Sequence, residues 1–142
     1  MLSVSNLQYC DEITPQQTAL AQYLVWKGYI YMGHGRHRAG FLCPSGRFVI
    51  KVPIAKRGVQ ANKEEAQRYK EDSERYAKCR LFHYQGIPCL IMEKVEKVTN
   101  WEDWAKIERD NPWLIEVDRD SNGCQAGFNR KDKVVAYDYS IC

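Results

Sequence analysis

A lysine stands inside an apolar, β-branched run, Phe48-Val49-Ile50-Lys51-Val52, and no other feature restricts the fold of this chain so strongly. β-Branched residues favour a strand, and a charge between apolar neighbours needs a partner or a ligand. The flanking sequence offers both. Upstream, Tyr29-Ile30-Tyr31-Met32 reads as a strand, Gly33 to Gly40 as a glycine-rich turn, and Phe41-Leu42-Cys43 as a second strand. Pro44-Ser45-Gly46 then turns tightly into the lysine strand. Downstream of Pro53 a charged helix is expected from about Gln60 to Lys78, with Glu64 and Glu65 side by side on it.

Each piece also has a plainer meaning. Gly33-x-Gly35 is what a hairpin turn uses, because glycine reaches positive φ at little steric cost. Lys51 alone fits a lysine snorkelling from an edge strand, and Glu64 or Glu65 alone fits a solvated helix face. A dinucleotide-binding fingerprint is excluded, since the glycines lead into a strand and not a helix. No Gly-Lys-Ser/Thr follows them either, which excludes a P-loop.

The rest of the chain reads as alternating short elements. Thr14-Pro15 opens a helix over residues 15–27, closed by Gly28. Leu81-Phe82-His83-Tyr84 and Ile87 to Met92 flank the turn Gln85-Gly86 as a hairpin. Asn100 caps a short helix reaching Glu108, with Trp101, Trp104 and Ile107 expected to face inward. Then come Trp113 to Val117, the polar stretch Asp118 to Gln125, Ala126 to Asn129, and Val134-Val135-Ala136-Tyr137-Asp138.

The 142 residues suffice for one domain with a real core, and no repeat or linker divides them. The net charge of +3 is spread along the sequence, so nucleic acid is not the expected partner. No run reaches the roughly 18–20 apolar residues of a membrane span. The first residues show neither a basic nor an apolar export signal, so the expected location is cytoplasmic. Six cysteines without a Cys-x-x-Cys spacing are expected to be reduced and mostly buried. His34 and His37 near Cys43 lack a fourth ligand and are expected to be surface histidines.

Two further motifs stand in order. Asp118-Arg119-Asp120 is followed five residues later by Gln125, and Asp138-Tyr139-Ser140 begins 18 residues after Asp120. With the glycine hairpin, Val49-Ile50-Lys51 and a helix glutamate, this order resembles the protein-kinase-like superfamily. The chain is similar to small kinase-like proteins encoded by tailed bacteriophages, over about residues 29–140. The resemblance implies an α+β fold: a kinase-like N-lobe, with a twisted antiparallel sheet and one main packed helix, plus a vestigial C-lobe made of a catalytic-loop-like hairpin. It implies a single domain over 1–142, with a helical extension at 1–28, an N-lobe-like part at 29–98 and a reduced C-lobe-like part at 99–142.

The resemblance also implies roles. Gly33 and Gly35 would cover ATP phosphates, Lys51 would bind the α/β-phosphates, and Glu65 would anchor Lys51, with Glu64 as the competing anchor. The segment from Leu90 to Val95, Glu93 included, would receive the adenine edge on its backbone. Asp120 would be the catalytic residue beside Lys51, orienting an acceptor hydroxyl, and Gln125 and Asp138 would hold Mg²⁺. The chain departs from the family pattern at Asp118, Gln125 and Ser140, where histidine, asparagine and glycine are usual. The sequence ends two residues after Ser140 and carries no activation segment. Two activities therefore stay open: a kinase-shaped protein that binds or inhibits a host protein, and an active minimal Ser/Thr phosphotransferase. A second copy of the chain would be one way to complete the site.

Overall fold

The computed structural model describes residues 3–98, 100–114 and 126–137. A 3₁₀ turn, Val4–Tyr9, leads to helix α1, Pro15–Trp26. Thr14 caps α1 reciprocally: its Oγ1 accepts from the Gln17 N–H at 3.1 Å, and Gln17 Oε1 accepts from the Thr14 N–H at 2.9 Å. Strands β1 (Ile30–His34), β2 (Arg38–Leu42) and β3 (Phe48–Pro53) follow as a meander, then helix α2 (Lys56–Glu71) and the hairpin β4 (Cys79–Tyr84) and β5 (Ile87–Glu93). These five strands form one antiparallel sheet in the order β1-β2-β3-β5-β4.

Strand alternation gives the sheet two distinct faces. Ala39, Phe41, Ile50, Val52 and Cys89 point one way and pack against Leu7, Leu20, Ala21 and Leu24 of the N-terminal segment. The opposite face, with Lys51, Leu90 and Met92, looks toward α2 and the remainder of the chain. A mixed α/β architecture is thus realised, with a helix on each side of an antiparallel sheet.

Three expectations are corrected. The glycine-rich turn is tighter than Gly33 to Gly40: both of these glycines sit in the ladder and pair with each other. Only residues 35–37 connect β1 to β2. Helix α2 begins at Lys56 and ends at Glu71, where the sequence pattern predicts Gln60 and Lys78. It stops early because the following residues bond elsewhere: the Ala77 N–H donates to the Ala136 carbonyl at 2.7 Å, and the Ala136 N–H donates to the Arg75 carbonyl at 2.8 Å. Finally, Trp101 is 79% exposed, whereas Trp104 is half-buried and Ile107 buried. Six residues advance a helix by one and two-thirds turns, so residues 101 and 107 cannot share the centre of one face.

The carboxy-terminal part is built from α3 (Trp101–Asp110), capped by Asn100 Oδ1 accepting from the Asp103 N–H at 2.9 Å, and from three short strands. These are β6 (Glu96–Lys97), β7 (Ala126–Phe128) and β8 (Val134–Ala136), in the order β6-β7-β8. A parallel bridge between Tyr76 and Ala136 ties this small sheet to the segment leaving α2. No helix among the described residues is long and apolar enough to cross a membrane.

The start of α2 rests on a backbone contact. A Cβ built on Gly58 would lie 2.1 Å from the His37 carbonyl oxygen, so only glycine lets the helix approach the β1–β2 connection this closely. Gly58→Ala should raise helix propensity by about 1 kcal/mol. It is nevertheless expected to lower stability by about 1–3 kcal/mol through overpacking, seen as a lower urea midpoint at unchanged slope.

Candidate functional site

Lys51 projects from the middle of β3, opposite Gly40 on β2 and Leu90 on β5. A lysine there would be a buried charge without a counter-ion. Glu65, completely buried on α2, supplies it: Lys51 Nζ donates to Glu65 Oε1 at 2.8 Å, with the lysine side chain 13% exposed. Glu64 points away and accepts from Gln60 Nε2 at 3.2 Å. The choice between the two glutamates is therefore settled by one residue of helix rotation, about 100°.

A second cation reaches the same carboxylate. Arg38, at the start of β2, places Nη1 2.6 Å from Glu65 Oε2. This contact is an ion pair outside in-line hydrogen-bond geometry. The same Nη1 donates to Asn62 Oδ1 at 3.2 Å. Asn62, one helical turn before Glu65 and fully buried, donates from Nδ2 to the Lys51 carbonyl at 3.2 Å and the Pro88 carbonyl at 2.9 Å. Thus α2 is fastened to β2, β3 and β5 through two side chains. Such a network holds the lysine ammonium in one place, since Glu65 and Asn62 tie it to both neighbouring strands.

The pair opens on a cleft of about 530 Å³, whose walls include Gly33, Gly35, Arg38, Lys51, Glu93 and Tyr137. Arg36, Lys94 and Lys97 add further positive charge around it. Both sequence-predicted glycines therefore line the same cleft as the lysine. Glu93, the last residue of β5, also lines the cleft; its N–H donates to the Lys78 carbonyl at 2.9 Å, and its carboxylate accepts from the Lys78 N–H. Its backbone is thus held by Lys78, the residue before β4, as well as by β3.

Asp120, Gln125 and Asp138 lie outside the described residues, as does Asp118. The chain nevertheless comes to the cleft immediately before Asp138, because Tyr137 lines the same cleft as Lys51. Among the described residues there is no cluster of three or more His, Cys, Asp or Glu side chains suited to a metal ion.

Two members of the site, Arg38 and Asn62, are not among the residues that the sequence motifs single out. Their signals are present nonetheless. Arg38 alternates with Gly40, the strand partner of Lys51. Asn62 precedes Glu65 by three residues and so shares its helix face.

No family model matches this chain, and no curated protein matches its sequence. A solved structure, the ternary complex of APH(2")-IIa with streptomycin and ATP, is similar to it with 19% identity and a TM-score of 0.41. The likeness covers 76% of this chain and 38% of that one, so this chain spans well under half of that protein.

Proposed function

We propose that this chain is a kinase-like protein that binds a nucleoside triphosphate in the cleft under the β1–β2 hairpin. The observation that carries this is the Lys51–Glu65 pair, which sets an oriented ammonium on a rigid strand at the floor of a cation-lined cleft. Phosphate recognition needs cations fixed in place and backbone that can approach closely. Lys51 supplies the first, and Gly33 and Gly35 the second. The cleft falls within the roughly 300–1,000 Å³ typical of small-molecule sites.

In this proposal Lys51 holds the α/β-phosphates, Glu65 orients it, and the Glu93–Val95 stretch faces the base. Gln125 and Asp138 would hold Mg²⁺, and Asp120 would orient an acceptor hydroxyl if phosphoryl transfer occurs. The metal would neutralise charge developing between the phosphates. The protein residues bind, orient and exclude water.

Titrating the protein with Mg·ATP while following thermal unfolding tests binding directly. Occupancy at 100 times the dissociation constant stabilises a protein by about 2.7 kcal/mol, so a clear upward shift in Tm is expected. A flat response up to millimolar nucleotide removes the proposal. Transfer is a separate question: label incorporation from ATP that is equal in wild type and Asp120→Ala would remove Asp120 from any catalytic role.

A further inference from the structure

A second concavity among the described residues adjoins the cleft. It is a groove of about 720 Å³ beside β4, whose apolar lining combines Tyr69 and Leu81, on the α2 side of the sheet, with Phe48 and Ile91, on the α1 side. Around it stand Arg47, Lys63, Lys70, Lys78 and Arg80, all exposed. None of these five is ion-paired with a carboxylate among the described residues. The groove's own acid, Glu93, is occupied by the Lys78 N–H. Five cations gathered on an apolar floor form a local field that the modest net charge of the chain conceals.

The groove also borders a free strand edge. β4 pairs with β5 and, among the described residues, with no second strand. An edge of this kind offers a row of backbone donors and acceptors to an added strand. Side chains of an added strand would alternate between the α2 side of the sheet, with Tyr69 and Leu81, and the α1 side, with Arg80 and Ile91.

We propose that β4 and this groove form a docking surface for an extended acidic segment of a partner protein, which adds to the sheet as a sixth strand. Apolar residues of the segment on the α2 side meet Tyr69 and Leu81, the intervening Asp or Glu residues meet Lys78 and Arg80 on the other side, and acidic residues at the segment's ends lie within the field of Lys63 and Lys70. A second copy of this chain is disfavoured at the same edge, because it would bring the basic side chains around Lys78 and Arg80 against a like-charged rim. Single-stranded nucleic acid shares the charge preference but not the floor, where Leu81, Ile91 and Met92 interrupt what would have to be a run of stacking rings. This site adjoins the proposed nucleotide cleft, with which it shares Met92 and Glu93.

The probe is a fluorescent peptide of about ten residues, a length that covers β4, alternating glutamate with valine or tyrosine and followed by anisotropy on the full chain. Saturable binding is expected. It should weaken at least about 10-fold in Lys70→Glu/Arg80→Glu, and at least about 10-fold for the peptide with lysine in place of glutamate. In wild type, hydrogen exchange should slow at backbone amides within Cys79–Tyr84 on peptide addition. Absence of binding overturns the proposal, as does binding indifferent to the charge reversals or protection appearing away from β4. Preferential binding of a single-stranded oligonucleotide, or concentration-dependent dimerisation blocked by the reversals, overturns it too. Should the double variant fail to fold, the wild-type exchange pattern decides.

Discussion

Glu65→Ala is expected to cost the protein about 3–5 kcal/mol, the range for removing one partner from a buried ion pair. The reason is geometric. Glu65 is the carboxylate shared by Lys51 and Arg38, whose side chains are only 13% and 8% exposed. Without it, two cations stay in a poorly hydrated site and repel each other across the space the carboxylate filled. For a domain of this length that loss corresponds to a fall in Tm of roughly 10–15 °C. Glu64→Ala, one residue away on an outward face, should fall within about 0.5 kcal/mol of wild type. Urea unfolding of the two variants checks the prediction; equal midpoints would mean that the helix is not anchored through residue 65.

Lys51→Met is expected to act on ligand rather than on fold. Glu65 keeps Arg38 as a counter-ion, and methionine preserves much of the apolar stem of lysine, so the structural penalty is the smaller one. Nucleotide loses its charge-assisted contact, worth about 1.5–3 kcal/mol, and the affinity for Mg·ATP should fall about 10- to 100-fold. Calorimetric titration of wild type and variant reads this directly. Unchanged affinity would place the nucleotide elsewhere. Because residues 38 and 51 share one carboxylate, their stability effects should also be non-additive: the double variant Arg38→Met/Lys51→Met should depart from the sum of the singles by more than about 0.5 kcal/mol.

Much of the architecture is legible in local pattern. The Phe48–Val52 run, the Gln85-Gly86 turn and the Asn100 cap each carry their own structural instruction, and each forms as expected. The pairing of a strand lysine with a helix glutamate forms too, although choosing Glu65 over Glu64 requires the helix phase. What escapes the sequence is decided by long-range contact. Helix α2 has charge enough to continue past Glu71, yet the backbone at Arg75 and Ala77 is captured by Ala136, some sixty residues on. Its beginning is equally unadvertised, because the N-cap residue Ala55 offers no side-chain oxygen. Arg38 is obscured by its neighbours: within a string of basic and glycine residues, only its two-residue spacing from Gly40 marks the side chain that turns inward.

The position of α1 has a consequence for how the chain can be cut. Leu20, Ala21 and Leu24 meet Phe41, Ile50 and Val52 across the sheet, so the segment before Gly28 shields a surface that would otherwise be oily and bare. A shortened protein starting at Tyr29 would retain the whole lysine cleft and still be prone to clump in water. The leading helix is accordingly a founding member of the interior, and newcomers must reach the strands from the side rather than from above.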